Sequence, residues 1–301
     1  MPPEPRPTST DGFRFRRLGK PEEFRAVEDV QRVAWGLGPD APTIPIALQR
    51  ATQDNGGLVL GAFVDIYLAG FSLGFLGWDG AVLYHQAFET AVRPEYQNHQ
   101  VGFQLHALQR EEILAQGLAQ IRGLFDPLSS KSAMLYVRKL GGTPDQYFPH
   151  YYGQLTDAVN QGLETDRVRW VWDLAAAKVV DRLGGRRPQP EQDVAFWRSA
   201  QPIVETEPGE SGIRVPQAVQ EPSAPTAHLE IPFDIDLVRT HEPAALRRWR
   251  HATRDAFRAA FDLRYRIEDF AVVSPEHERR SFYFLRAPAP DPAESTPPKA
   301  D

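Results

Sequence analysis

Thr90-Ala-Val-Arg-Pro94-Glu-Tyr-Gln-Asn-His-Gln-Val-Gly102 joins a predicted strand to a predicted helix. The residues at 81–92 are rich in β-branched and aromatic side chains, which is typical of a strand. Pro94 ends that strand because proline cannot donate to a sheet ladder. From Val101 onward the apolar residues recur at helical spacing. The backbone N–H groups of a first helical turn lack partners within the helix, so this turn is a candidate site for an anion.

The elements predicted around this stretch follow the order β-α-α-β-β-β-α-β-α-β-β between Phe13 and Leu174. Short turns at 65–66 and 77–80 connect three consecutive strands, which indicates an antiparallel meander. A helix and a further strand then complete a β-α-β unit. We therefore expect an α+β fold with a mixed, mostly antiparallel sheet flanked by helices.

The composition is that of an ordinary globular protein, with 42% hydrophobic and 25% charged residues among 301. No run approaches the ~20 apolar residues that a membrane helix needs. The first residues lack the apolar core of a signal peptide, and the chain has no cysteine, so we expect a cytoplasmic protein. A net charge of −6 argues against general nucleic-acid binding, because neutralising phosphates needs a basic surface.

The opening stretch resembles motif A of the GNAT acyltransferases, in the form Val92-x-Pro94-x-x-Gln97-x-x-Gln100-x-Gly102. In that family a valine precedes an Arg/Gln-x-x-Gly-x-Gly/Ala turn that cradles the coenzyme A pyrophosphate. The element order matches the superfamily, and so does the closing helix with Ala133 and the segment 139–141. More narrowly, the chain is similar to a poorly characterised branch of predicted acetyltransferases with a C-terminal extension. Motif A by itself is equally compatible with an ordinary β–α loop.

Gln100 departs from the motif, because the family nearly always has glycine at this position. If the backbone there needs a positive φ, a glutamine is strained. If the position only has to approach a phosphate closely, a side chain that points away is tolerated.

The resemblance implies that acetyl-CoA or another acyl-CoA is the co-substrate, and that no metal takes part. The main chain of Thr90 and Val92 would bind the pantetheine arm, on a strand that splays from its neighbour in the family. The pyrophosphate would be bound by the residues of the turn, which are Gln97, Asn98, His99, Gln100, Val101 and Gly102. The histidines show no spacing typical of a metal site.

Three residues are candidates for proton transfer. Glu89 lies near the end of its strand and is a candidate general base with a raised pKa, although its position favours a strand residue that faces solvent. Asp126 directly follows the next strand and is either a base or a turn-forming residue before proline. Tyr136 is the nearest candidate for the tyrosine that protonates the departing thiolate in many relatives. Counted back from Gly141, the family position is Val137, and a shift of one residue rotates a side chain by about 100° on an α-helix.

The resemblance and the composition together divide the chain into five segments. We expect disordered ends, an acyl-CoA-binding domain, a connecting region of linker and short strands, and a smaller C-terminal α+β unit. The respective ranges are 1–11 and 287–301 for the ends, 12–175 for the domain, 176–225 for the connection and 226–286 for the C-terminal unit.

The leading hypothesis is an acyl-CoA-dependent N-acyltransferase, in which an amine attacks the thioester directly. The acyl group is expected to be acetyl, and the acceptor is an amine of a small molecule or a peptide. A homodimer is an allowed assembly. The first alternative is a GNAT fold that binds acyl-CoA as a sensor or scaffold without turnover. The second is an interaction protein whose function lies in the C-terminal unit.

Overall fold

The computed structural model describes residues 8–10, 12–154, 163–275 and 278–289, which form two compact units. The predicted disorder over 1–11 and 287–301 lies mainly outside the described residues, but residues 8–10 form a strand instead. The first unit consists of Met1–Pro127, Lys131–Thr143 and Phe148–Arg187, and the second consists of Leu128–Ser130, Pro144–Tyr147 and Pro188–Asp301.

The main sheet has eight strands. They are β1 Thr8–Thr10, β2 Phe13–Arg17, β3 Leu58–Val64, β4 Tyr67–Trp78, β5 Leu83–Val92, β6 Gln120–Phe125, β7 Thr143–Phe148 and β8 Arg167–Asp173. Their order in the sheet is β1-β2-β3-β4-β5-β6-β8-β7. Strands β1 to β5 form an antiparallel meander, β5 and β6 are parallel, and β6 and β8 are antiparallel. The predicted α+β fold with a mixed, mostly antiparallel sheet is confirmed.

The helices of this part of the chain are α1 Pro21–Trp35, α2 Ile46–Asp54, α3 Val101–Ala115, α4 Ser130–Ala133 and α5 Ala177–Leu183. Helix α1 starts with proline in its first turn, followed by acidic residues, as the sequence predicted. Its apolar side packs Phe24, Val27 and Val30 against Phe71 and Leu73 of β4. This core covers one face of the sheet, and helix α3 contacts strands β2 to β6.

The closing helix that contains Ala133 is not uniform. It is α-helical only over α4 and continues as a π-helix, Met134–Lys139. Strand β7 follows this segment. It ends where Pro149 cannot donate to a ladder and where His150 has a φ of 52°.

The second unit contains a four-stranded sheet and a hairpin. Its strands are β9 Gln201–Pro202, β10 Val204–Pro208, β11 Arg214–Val219, β12 Thr226–Ile231, β13 Arg266–Val273 and β14 Arg280–Arg286, and its helices are α6 Pro190–Ser199, α7 Ile235–His241 and α8 Pro243–Asp262. The sheet order is β13-β14-β12-β9, and β10 pairs with β11. The apolar stripe of α8 is buried. Arg250 of the same helix is also completely buried.

The sequence analysis missed helices α6 and α7. Helix α6 begins with Pro190 and acidic residues in its first turn, which is the same start signal that α1 has. The surrounding prolines obscured this signal. In α7 the carboxylate of Asp234 caps the helix by accepting from the N–H of Asp236 at 2.9 Å. Phe196 of α6 stacks on Phe284 with ring centroids 4.5 Å apart, which fixes this helix on the sheet.

Candidate active site

A gap opens between strands β5 and β6. Their parallel pairing covers only His85 to Ala87 of β5, opposite Ile121 to Gly123 of β6. Beyond that point no ladder between the two strands is present among the described residues, although β5 continues to Val92 and remains paired with β4. The main chain of 88–92 therefore presents polar groups toward the gap, as the sequence resemblance implied for the pantetheine site.

The predicted anion-binding turn lies at the start of helix α3, directly after β5. Residues 97–100 are exposed, and the first helical bond runs from the N–H of Gln104 to the carbonyl of Gln100 at 3.0 Å. The N–H groups of residues 101–103 precede this bond and have no acceptor within the helix. They are thus available to an anion at the surface.

Gln100 has the backbone conformation that favours glycine. Its φ is 61° and its ψ is 12°, and Asn98 in the same turn has a φ of 67°. Of the two alternatives left open for Gln100, the strained one is observed. A left-handed residue other than glycine costs about 1 kcal/mol, so the turn has its shape despite a local penalty.

Gly102 lies in the first turn of α3, where the protein itself leaves room for a larger residue. A Cβ atom added there would meet only the Cδ2 of Leu135, at an ordinary contact distance of 3.6 Å. Glycine inside a helix costs about 1 kcal/mol relative to alanine. The space in front of this glycine fits the close approach of a ligand such as a pyrophosphate, which the motif implies.

A closed ring of polar groups lies between β4, β5 and α3. The hydroxyl of Thr90 lies 3.0 Å from Ser72 Oγ and 3.3 Å from His106 Nε2. Gln109 closes the ring, because its Oε1 lies 2.9 Å from His106 Nδ1 and its Nε2 donates to Ser72 Oγ at 3.3 Å. The same amide nitrogen lies 3.1 Å from His85 Nε2. The ring ties the splayed part of β5 to α3.

Both histidines beside this ring are neutral at physiological pH. Burial lowers the pKa of His106 to about 4, against a smaller opposing effect of its hydrogen bond to Gln109. Burial and the nearby charge of His106 lower the pKa of His85 to about 3. The sequence analysis missed this cluster, although polar residues among the buried positions of α3 were the available signal.

Glu89 lies next to the ring in sequence but belongs to the opposite face of the sheet. Its partner in β4 is Leu73, whose side chain belongs to the core under α1. The carboxylate oxygen Oε2 is buried and has no hydrogen-bond partner among the described residues. Burial raises the pKa of Glu89 to about 7. The interpretation of this side chain as one that faces solvent is therefore wrong, and its environment suits a general base.

A β-bulge gives Glu89 this orientation. Leu73 pairs with Glu89, whereas the next residue of β4, Gly74, pairs with Ala87, so Phe88 is an extra residue in β5. A bulge locally twists a strand and redirects its side chains. The sequence pattern alone does not reveal it.

Asp126 lies on the other side of the gap, directly after β6. Its carboxylate is 3.7 Å from the guanidinium of Arg167, at the start of β8. The same guanidinium lies 5.1 Å above the ring of Tyr152. Asp126 is thus engaged by a cation, in contrast to Glu89.

Tyr136 lies beside the β6 edge of the gap, within a group of rings. Its ring stacks on Trp170 with centroids 4.6 Å apart and contacts Phe125 and His106 at 5.4 and 5.3 Å. Burial raises the pKa of its phenol to about 12. Trp170 is itself buried in the core.

The π-helix changes how the position of Tyr136 is counted. The N–H of Leu140 donates to the carbonyl of Leu135, five residues earlier, at 2.9 Å. Residues five apart share a face in such a turn, as residues four apart do in an α-helix. Tyr136 is five residues before Gly141, so it takes the face that Val137 would occupy on an α-helix.

A cavity of about 180 Å³ lies in the second unit, far less suited to chemistry than the gap. Its buried carboxylate, Glu230, accepts from Arg280 at 2.8 Å and from the hydroxyl of Thr206 at 2.7 Å. A second guanidinium, that of Arg214, pairs with Glu278 at 3.3 Å. These charged groups satisfy one another.

Within the described residues, no helix is long and apolar enough to cross a membrane. The same part of the chain contains no group of three or more His, Asp or Glu residues that could hold a metal ion.

No protein-family model matches the sequence, and no curated protein matches it either. Solved structures do resemble it. The ribosomal-protein-S18-alanine N-acetyltransferase from Escherichia coli is 17% identical, with a TM-score of 0.44 over 55% of this chain and 96% of that one. A putative acetyltransferase from Salmonella typhimurium, solved with acetyl-CoA, is also 17% identical, with a TM-score of 0.45 over 56% and 97%.

The NatC complex bound to Gag peptide and coenzyme A is 13% identical, with a TM-score of 0.43 over 54% of this chain and 98% of that chain. At such identities the likeness concerns the fold alone. The meander, the parallel pair β5–β6 and the gap between them are features of this chain itself.

Proposed function

We propose that this protein is an acyl-CoA-dependent N-acyltransferase that transfers an acetyl group to an amine. The observation that carries the proposal is the open gap between β5 and β6, with Glu89 at its edge, whose buried Oε2 atom has no hydrogen-bond partner among the described residues. An amine acceptor needs a base that titrates near neutral pH, and a carboxyl group with a pKa of about 7 meets that need.

The turn before α3 would bind the coenzyme. The N–H groups of Val101 and Gly102 have no acceptor within α3 and lie at its N-terminus. The helix dipole favours a bound pyrophosphate there. The pantetheine arm would bind to the main chain of Thr90 and Val92, on the side of β5 that lacks a partner strand. Asn98 and His99 are exposed in the turn and would border the phosphates.

The chemistry follows from these positions. The amine nitrogen attacks the thioester carbonyl, a C–N bond forms, and the C–S bond breaks. Glu89 accepts the proton that the ammonium group must lose before it attacks. The nitrogen loses a second proton after the C–N bond has formed, and the coenzyme leaves as a thiolate that takes up one proton, so that the complete reaction releases one proton to solvent. Tyr136 is the proposed donor of the proton to the thiolate, and Asp126 is the second candidate base. Its pairing with Arg167 makes Asp126 the weaker proton acceptor.

Two measurements test this proposal. Acetyl-CoA should raise the melting temperature of the protein, because a ligand that binds only the native state stabilises it. Thiol release with a panel of primary amines should then exceed hydrolysis, and Glu89→Gln should abolish the excess. No shift in melting temperature at millimolar acetyl-CoA would contradict the proposal.

The second candidate function is an acyl-CoA sensor without turnover. The glutamine at position 100, where the motif has glycine, favours it because this residue departs from the family's pattern. A sensor would show the melting shift with acetyl-CoA but no amine-dependent thiol release. We also propose a cytoplasmic location and leave a homodimer as the assembly to be measured.

A further inference from the structure

The bulge in β5 brings an aromatic side chain next to the candidate base. Phe88 is the extra residue, and its ring contacts that of Phe75 in β4 with centroids 5.7 Å apart. Phe75 is two residues from Leu73, the partner of Glu89, so it belongs to the same face of the sheet as that carboxylate. Phe75 and Phe88 are 40% and 45% exposed.

Phe75 and Phe88 thus form one exposed aromatic surface, which we name the aromatic lip. Glu89 directly follows Phe88 in β5, so the lip lies beside the candidate base. Large apolar rings that remain exposed together are typical of a binding surface.

The charge beside the lip favours a cationic acceptor. The buried Oε2 atom of Glu89 has no hydrogen-bond partner among the described residues. An ammonium group is attracted by this carboxylate and by the faces of aromatic rings.

We propose that the acceptor is a primary amine carried on an aromatic or similarly apolar group. This inference rests on the proposed acyl transfer and specifies its substrate class. The ammonium nitrogen would lose its proton to Glu89, and the apolar group would cover Phe75 and Phe88. Polyamines and small polar amines lack an apolar group that could cover these two rings.

Kinetics with defined amines test the inference. The probes are 2-phenylethylamine, ethanolamine and spermidine, each with acetyl-CoA and thiol release as the readout. We expect kcat/KM to be at least tenfold higher for 2-phenylethylamine than for either other amine. Binding of 2-phenylethylamine is also measured by calorimetry, both to the free protein and to the protein loaded with coenzyme A.

Variants of the lip supply the structural control. Phe88→Ser should lower kcat/KM for 2-phenylethylamine about tenfold and leave the value for ethanolamine nearly unchanged, and Phe75→Leu should give a smaller change in the same direction. Tyr67→Ser is the matched control, because Tyr67 is a 69% exposed aromatic residue of β4 outside the lip. The melting shift with acetyl-CoA confirms that each variant is folded.

The outcomes separate the two proposals. If acetyl-CoA produces no melting shift, the acyltransferase proposal fails, whatever the amine does. If acetyl-CoA binds but ethanolamine or spermidine is preferred, the aromatic acceptor is wrong and acyl transfer stands. If 2-phenylethylamine neither binds nor reacts while acetyl-CoA binds, the aromatic acceptor is likewise wrong.

Discussion

Two consecutive residues of β5 show how differently the two faces of this sheet are used. Thr90 belongs to the face of α3, where its hydroxyl joins a closed ring of neutral hydrogen-bonding groups. Glu89 belongs to the other face, where one carboxylate oxygen is buried and has no partner within the part of the chain that the structure describes. A satisfied buried group supports the fold, whereas an unsatisfied one costs free energy. The satisfied face thus stabilises the splayed strand, and the unsatisfied face holds the group proposed to act on the substrate.

The largest expected effect is that of Glu89→Gln. Loss of the base should lower kcat/KM for an amine at least 100-fold. The same change should stabilise the protein at pH 8. Unfolded Glu89 ionises above its ordinary pKa of 4.5, but the folded residue does so only near 7, so folding becomes less favourable as the pH rises between these values.

Urea denaturation at two pH values checks the stability half of this prediction. The variant should exceed the wild type by ~2–3 kcal/mol at pH 8 and by nearly nothing at pH 4. A variant that loses activity without gaining stability at pH 8 would show that Glu89 is satisfied in solution, and the contrast between the faces would disappear.

Lowering the pH should reduce the free energy of unfolding through the histidine on the α3 face of the sheet. His106 titrates near pH 4 in the folded protein and near 6.5 when unfolded, so the unfolded state binds more protons in between and stability falls as the pH is lowered from 6.5 toward 4. Each such histidine contributes ~1.4 kcal/mol per pH unit. His106→Gln should reduce this slope by that amount, as measured by urea denaturation across the pH range.

His99 provides the control for that experiment. It lies exposed in the turn before α3, and no group of the closed ring contacts it among the described hydrogen bonds. His99→Gln should leave the pH slope unchanged. An equal change in both variants would mean that the ring around His106 does not hold its imidazole neutral.

Thr90→Val should cost ~1–2 kcal/mol, because it leaves Ser72 and His106 with one hydrogen bond fewer in a buried place. The measurement is urea denaturation at pH 7. Thr143→Val, at an exposed position of β7, is the matched control and should be nearly neutral. A neutral Thr90→Val would contradict the view that this face stabilises the splayed strand.

The smallest effect concerns the turn. Gln100→Gly should raise the free energy of unfolding by ~0.5–1 kcal/mol by removing left-handed strain, and acetyl-CoA should bind equally well or more tightly. Arg264→Gly is the control, since Arg264 has a φ of 60° in the second unit. It should give a similar gain in thermal stability without any change in acetyl-CoA affinity. A severe loss of affinity in Gln100→Gly would instead identify the glutamine as a direct ligand.

Local signals in the sequence were sufficient for the frame of the site. Pro94 and the switch from alternating to helical spacing at Val101 are properties of neighbouring residues, so the strand, turn and helix were predictable. The orientation of Glu89 was not, because it depends on one extra residue in the pairing of β5 with β4. Nor was the ring of Thr90, His106 and Gln109, because it joins residues of strand and helix that meet only in the folded chain.

The π-helix after α4 has a consequence for comparing this chain with others. A π-helical turn contains one residue more than an α-helical turn, and the chain before and after it keeps its position. A side chain can then move by one place in the sequence while its ring keeps the same place in space. Aligning this segment with another protein column by column would therefore pair residues that occupy different positions, and superposition of the backbones would correct the pairing.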